Sequence, residues 1–185
     1  MKHLLCTLLL TLTVCLCSAQ TEHMKFKGIP MEGTLQSFTL KLKAKGYVPL
    51  GTKDGVSVLK GEFAGHIYAV ADKSGMICRV CVEFPKMDKW ADLESCYSSY
   101  KDMLTEKYGE PKVCVEKFQN EYVEDDNNRM YEVKFDRCKY YCAFACKNGE
   151  ITLEITQQNF DCYVQLCYYD KANQDKLRQN IMEDL

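Results

Sequence analysis

The chain is poor in histidine, and this shortage excludes several classes of catalytic and metal site. It has three histidines in 185 residues, and only His66 falls in the part that we expect to form the folded domain. One histidine cannot build a multi-histidine zinc site, and it leaves Ser-His-Asp or Cys-His catalysis no base other than His66 itself. The sequence also lacks the G-x-S-x-G, G-x-G-x-x-G and P-loop motifs. We therefore predict a protein that is not an enzyme and has no catalytic residue, cofactor or metal.

The chain also lacks an excess of positive charge and, after residue 19, any long apolar run. Lysine and arginine number 24 against 26 acidic residues, which gives a formal net charge of −2. Nucleic-acid binding normally needs a basic surface, so we expect no nucleic-acid partner. A membrane-spanning helix needs about 20 apolar residues, so we expect no membrane span. The remaining partner classes are a protein or a small molecule.

Residues 1–19 have the pattern of a secretory signal peptide. A short positive start precedes the apolar run Leu4–Leu16, and Cys17–Ala19 supplies small residues for cleavage. We expect cleavage after Ala19 and a periplasmic or secreted protein. A bacterial lipoprotein signal is the alternative, but large residues stand directly before Cys15 and Cys17, where lipidation requires small ones.

Cysteine is abundant, and its arithmetic leaves disulfides open. Three of the twelve cysteines fall in the predicted signal peptide, which leaves nine in the mature chain. Nine is odd, so at least one is unpaired or pairs between chains. We expect most of them to serve as small apolar core residues, although export would permit disulfides.

Two cysteine patterns resemble functional motifs, but both fall in predicted strands. Cys138, Cys142 and Cys146 are four residues apart, about 13 Å along a strand, so one metal ion cannot bind all three. Cys78 and Cys81 form a C-x-x-C whose side chains would point to opposite faces of a strand, whereas a redox motif should begin a helix.

The acidic segment 121–128 is the remaining candidate for metal binding. Its carboxylates, which are Glu121, Glu124, Asp125 and Asp126, could attract calcium. The spacing departs from the EF-hand loop and lacks its central glycine. We interpret the segment as a solvated loop.

Helical spacing and end signals predict three helices. Thr34–Lys45 has a capping Thr34 and ends before Gly46. A long helix runs from a capping Asp88 to about Tyr108, and residues 170–185 form a C-terminal helix that frays. Residues 20–27 are expected to be a mobile lead-in, followed by a short extended segment or turn.

Strands are predicted at 47–50, 56–63, 66–71, 76–84, 113–118 and 129–135. In the strand 76–84, Met76, Cys78, Val80, Val82 and Phe84 share one face, and Ile77, Arg79, Cys81 and Glu83 share the other.

Residues 137–170 predict a three-stranded meander with tight turns at Asn148-Gly149 and Gln158-Asn159. Pairing through these turns gives three apolar rows: Cys146, Ile151 and Leu166; Phe144, Leu153 and Val164; Cys142, Ile155 and Cys162. The other face carries Tyr141, Tyr163, Gln165 and Tyr169 beside alanines and Thr152. Because tyrosine suits interfaces, we predict that these four residues form a binding surface. The alternative is that another part of the chain covers this face.

The stretch from Gly61 to Phe84 repeats the order of the meander, with strand, tight turn, strand, turn and strand, and each stretch follows a helix that ends at glycine. We therefore predict an α+β fold of two helix-plus-antiparallel-strand repeats, with the helices on one side of the sheet. The boundaries are a signal peptide at 1–19, a lead-in at 20–33, a first repeat at 34–86, and a second repeat with the C-terminal helix at 87–185.

Most of the mature chain resembles a family of small exported proteins of unknown function from gut Bacteroidetes. The segments that carry the resemblance are LKGEFAG, MICRVCVEFP, KWADLESCYSSYKDMLTEKYGEP, VEKFQNEYVEDDN, NGEITLEI and VQLCYYDKAN. They hold turn glycines, helix stops and core aromatics, and the family brings no catalytic residue to transfer. The helix-then-strands order with its YGEP helix stop is also similar to the β-lactamase-inhibitor-like fold.

These observations predict a non-catalytic exported binding or interaction module that acts through a sheet face. The alternative is a thiol-dependent redox protein or enzyme that uses one of the nine mature cysteines.

Overall fold

A computed structural model describes residues 22–61, 65–119 and 125–183 and has an α+β architecture. In chain order its elements are β1 (Lys25–Phe26), β2 (Ile29–Pro30), α1 (Leu35–Ala44), β3 (Val48–Lys53), β4 (Val56–Lys60), β5 (His66–Ala71), β6 (Ile77–Glu83), α2 (Trp90–Tyr108), β7 (Val113–Phe118), α3 (Asp126–Lys134), β8 (Cys138–Cys146), β9 (Gly149–Gln158), β10 (Asp161–Asp170) and α4 (Lys171–Glu183). The predicted class is confirmed. The predicted signal peptide at 1–19 lies outside the described residues.

Eight strands form one antiparallel sheet in the order β3-β4-β5-β6-β10-β9-β8-β7, and β1 and β2 form a separate hairpin. Strands β3 to β6 make one meander and β7 to β10 make another. The last strand of each meander lies at the centre of the sheet, where β6 and β10 pair over Gln165↔Glu83 to Tyr169↔Arg79. The two halves of the chain therefore share one continuous sheet.

Three helices pack their apolar sides against one face of this sheet, which we call the core face. Each strand sends alternate side chains to it, because successive residues of a strand point to opposite sides. The buried cluster contains Leu35, Phe38 and Leu42 of α1, Trp90, Leu93, Tyr97 and Leu104 of α2, Met130 and Val133 of α3, and strand residues such as Leu59, Val80, Phe144, Leu153 and Val164. Only Asn173 of α4 is buried.

The N-terminal hairpin is part of the fold rather than a mobile lead-in. Met24, Phe26, Ile29 and Met31 are buried in the core. The fully buried Asp170 carboxylate holds this segment, because it accepts the Met24 N–H at 2.6 Å and contacts His23 Nδ1 at 3.0 Å. A buried carboxylate needs such partners to offset its lost hydration. No local pattern predicts this pairing of residues about 146 positions apart.

The meander rows are predicted on the correct face but with the wrong register. The observed rows are Phe144, Ile151 and Tyr168; Cys142, Leu153 and Leu166; Tyr140, Ile155 and Val164. Each turn is displaced by one residue, to Lys147-Asn148 and Asn159-Phe160, which shifts the pairing by two and preserves the face. Gly149 lies in strand β9, where a Cβ would come within 2.0 Å of the Tyr169 carbonyl oxygen, so this position requires glycine.

The predicted strand at 129–135 is wrong, because residues 129–134 belong to helix α3 and Phe135 is its C-cap. The Asp125 side chain caps this helix by accepting the Asn128 N–H at 2.9 Å. The predicted cap of α2 is also wrong: Asp126, not Asp88, accepts the Trp90 and Ala91 N–H groups at 3.1 and 2.9 Å. Both aspartates of the predicted acidic loop that the structure describes therefore act as helix caps, while 120–124 lie outside the described residues.

A β-bulge alters the start of β6. The pairing with β5 shifts between Val70↔Arg79 and Ala71↔Ile77, so Cys78 is the extra residue. Consequently Ile77 is fully buried in the core, and Cys78 is only half-buried. The predicted alternation is correct from Arg79 onward and wrong at these two positions.

Candidate binding face

The sheet face opposite the core, here named the open face, has a flat central row of small residues. Cys81, Cys167, Thr152 and Ala143 are direct neighbours across β6, β10, β9 and β8. Each of them is at most 5% exposed, and a disulfide joins Cys81 to Cys167 across a Cα–Cα distance of 4.1 Å. The row therefore forms a floor without protruding side chains.

Larger polar and aromatic residues border this floor on both sides. Along one side, Glu83, Gln165, Glu154 and Tyr141 follow one another across the strands. Along the other side, Arg79, Tyr169 and Glu150 do the same. Residues two positions apart on a strand are separated by about 6.6 Å, so the two borders lie about 13 Å apart. The arrangement is a shallow trough that crosses the strands.

The four predicted site residues all lie on the open face, but they do not contribute equally. Tyr141, Gln165 and Tyr169 are partly exposed, whereas Tyr163 is only 6% exposed. Burial, together with the nearby Glu83, Tyr68 and Glu154, raises the pKa of Tyr163 to about 12. Tyr163 therefore offers little contact area, and the other three carry most of the accessible surface of this set.

Charged groups stand close to the two outer tyrosines. The Arg79 guanidinium carbon lies 6.0 Å from the Tyr169 ring centre, and Lys139 Nζ lies 4.9 Å from the Tyr141 ring centre. Both separations are within the range of cation–π attraction. Partial burial raises the pKa of Glu154, although Lys139 and Arg79 oppose that shift by favouring the carboxylate.

A groove of about 450 Å³ opens on this face above the central strands. Tyr68, Arg79, Glu83, Tyr163 and Gln165 are among the residues that line it. Sequence reasoning missed Tyr68, Arg79 and Glu83 as members of the site. The signal for Arg79 and Glu83 was the alternation in the strand 76–84, which placed them with Cys81, but only the β6–β10 pairing brings them beside Gln165 and Tyr169.

Five of the nine described cysteines are free, as expected of mostly unpaired thiols, but the other four form disulfides. Besides Cys81–Cys167, a second disulfide joins Cys114 to Cys142 between β7 and β8, across a Cα–Cα distance of 4.3 Å. The five free cysteines are Cys78, Cys96, Cys138, Cys146 and Cys162. Burial raises the pKa of each of these five, and that of Cys138 to about 12. Cys78 and Cys81 are not partners, so the C-x-x-C is not a dithiol pair.

His66 lies half-buried on β5 with its ring centre 6.2 Å from that of Tyr68. The prediction that it is the lone histidine of the fold is wrong, because His23 belongs to the N-terminal segment and contacts the buried Asp170. Within the described residues, one group could hold a metal ion: Cys114, Glu116 and Cys142, whose ligand atoms lie within 4.8 Å of one another. This group lies at the β7 edge on the core face, away from the trough.

None of the described helices combines the length and apolar composition needed to cross a bilayer.

Comparison with protein-family models, with curated proteins and with solved structures finds no match to this chain.

Proposed function

We propose that this protein is a non-catalytic, exported binding module that acts through the open face of its sheet. The observation that carries the proposal is the trough itself, in which a flat disulfide-bonded floor lies between borders that contain tyrosines and unlike charges. Tyr141, Gln165 and Tyr169 are partly exposed on this face, so they are accessible to a partner.

A protein partner fits the trough better than a small molecule. Small-molecule sites enclose most of their ligand, whereas this trough is shallow and crosses several strands. Tyrosine and arginine are enriched at protein interfaces and at the residues that dominate binding energy.

The thiol-dependent alternative has weaker support. Thiol chemistry requires a thiolate, and catalytic cysteines therefore have lowered pKa values. Burial raises the pKa of every free cysteine of the mature chain. These thiols suit packing better than nucleophilic attack.

Export remains part of the proposal, with cleavage after Ala19. Two disulfides in one domain are consistent with an oxidising compartment such as the periplasm or the cell exterior.

The internal repeat is also a proposal. Each half consists of a helix followed by a four-stranded meander, and the halves meet at their last strands. This order supports two related units and the suggested likeness to the β-lactamase-inhibitor-like architecture. The insertion of α3 between β7 and β8 has no counterpart between β3 and β4.

The proposal is tested by partner retention on the immobilised protein. The double variant Tyr141→Ala/Tyr169→Ala removes both outer tyrosines, and Tyr131→Ala is the matched control because Tyr131 is half exposed on α3. Proteins from the exported fraction of producing cells should bind the parent and the control but not the double variant. Equal retention by all three chains would contradict the proposal.

A further inference from the structure

We propose that Cys114, Cys142 and Glu116 form a zinc-binding site when the disulfide between the two cysteines is reduced. This inference is independent of the proposed function, because the three side chains lie at the sheet edge on the core face.

The strand pairing brings the three ligands together. Cys114 and Cys142 are directly opposite on β7 and β8, and Glu116 is two residues beyond Cys114, on the same side of β7. The Cys114 sulfur and Glu116 Oε1 are 3.5 Å apart, and all three ligand atoms lie within 4.8 Å of one another. Zinc bonds are about 2.3 Å to sulfur and 2.0–2.2 Å to a carboxylate oxygen, so two ligands of one ion lie at most about 4.6 Å apart. The 3.5 Å sulfur–oxygen distance meets this limit, and the 4.8 Å bound on all three atoms slightly exceeds it.

The donor set matches the preference of zinc. Two thiolates and a carboxylate supply three of four tetrahedral positions and leave the fourth for water. Cys142 is fully buried, whereas Cys114 and Glu116 are exposed. The site therefore has one ligand anchored in the core and an open side through which an ion can enter.

Neighbouring side chains are placed to stabilise the charged ligands. Tyr97 Oη lies 2.9 Å from the Cys142 sulfur, and Lys101 Nζ lies 2.6 Å from Glu116 Oε1. Such hydrogen bonds orient metal ligands and commonly affect metal affinity by 10- to 100-fold.

The Cys114–Cys142 disulfide must be reduced before a metal ion can bind. Its exposure to solvent makes it the disulfide that a reductant reaches more easily. A phosphine reductant takes the oxygen of one water to become a phosphine oxide, while the disulfide gains the two hydrogens as two thiols. Zinc then replaces both thiol protons, which are released. Because Cys114 is exposed and Cys81 and Cys167 are at most 3% exposed, the edge disulfide should be reduced first.

The test is a titration of the full chain with Co²⁺ and Zn²⁺ before and after mild phosphine reduction, with thiol counting by mass spectrometry. We expect no thiolate-to-cobalt absorption before reduction. After reduction we expect one ion per chain, displaced by zinc. Cys114→Ser should abolish the absorption, Glu116→Gln should weaken binding by about tenfold or more, and the control Cys78→Ser should bind as the parent does.

Absence of metal uptake by the reduced chain, or uptake that Cys114→Ser leaves unchanged, would overturn the proposal. If reduction opens both disulfides, the same titration on folded Cys81→Ala/Cys167→Ala chain decides between the outcomes. Circular dichroism establishes that the chain titrated is folded.

Discussion

The two faces of the same eight strands differ in what their side chains do. On the core face, rows such as Cys142, Leu153 and Leu166 are apolar and lie beneath helices α1 to α3. On the open face, the neighbouring positions of the same strands carry Tyr141, Glu154 and Gln165. Burial of the first set accounts for stability, since transfer of apolar surface from water is the main favourable term in folding. The second set is only partly buried, and it belongs to the surface that we propose for binding.

The disulfides show the same division. Cys81–Cys167 joins the two halves of the sheet at the centre of the open face and links residues 86 positions apart. Cys114–Cys142 lies at an edge on the core face and links residues 28 positions apart. The cysteines of the central bond are buried, whereas Cys114 of the edge bond is exposed to solvent.

The largest expected contrast between the faces is in stability. Leu153 and Thr152 are adjacent on β9 and point to opposite faces, and both are buried. Leu153→Ala should lower the free energy of unfolding by about 2–5 kcal/mol, because it opens a cavity in the core. Thr152→Ala, the matched control, should lower it by about 1 kcal/mol or less. Urea denaturation measures both, and equal losses would contradict the division between the faces.

The next largest effect should come from the central disulfide. Cys81→Ala/Cys167→Ala should lower the free energy of unfolding by about 2–4 kcal/mol, because the bond restricts a long loop of the unfolded chain. Loop length alone makes this loss about 1 kcal/mol greater than that of Cys114→Ala/Cys142→Ala. Denaturant midpoints compare the two double variants. A greater loss from the edge pair would show that local packing outweighs loop closure.

A smaller effect should distinguish the partly buried charge on the open face. The folded-state pKa of Glu154 is raised, so the folded state holds this proton more tightly than the unfolded state does. Stability contributed by Glu154 is therefore present at low pH and lost as pH rises through the folded pKa. Glu154→Gln should raise the melting temperature at pH 7 by about 1–2 °C and leave it unchanged near about pH 3.5. A lower melting temperature at pH 7 would mean that attraction to Lys139 and Arg79 dominates.

Local patterns predicted the elements better than their long-range pairing. The cap at Thr34, the strands 66–71 and 113–118, and the faces of the meander all follow from local spacing, and the structure has them. The predicted register of the meander was wrong because Gly149 was assigned to the turn. In the structure it lies in β9, where it allows the close approach of β10. Helix α3 was missed because its buried face consists of only three residues, Met130, Glu132 and Val133.

Long-range contacts explain the misses at the site. Arg79 and Glu83 lie beside Tyr169 and Gln165 only because β6 pairs with β10, and the two disulfides likewise join strands whose pairing no local signal reports. Alternation predicts which side chains share a face of one strand, but it does not predict which strand is the neighbour.

The central claim is that the open face binds a partner, and cross-linking in cells that produce the protein tests it most directly. A photo-activated cross-linking amino acid is placed at position 141 on the open face. In the control chain it is placed at position 131 on α3. We expect irradiation to join position 141 to a discrete partner, and we expect Tyr169→Ala in the same chain to reduce this product. Position 131 should yield none. Partner products at position 131 with none at position 141 would contradict this claim.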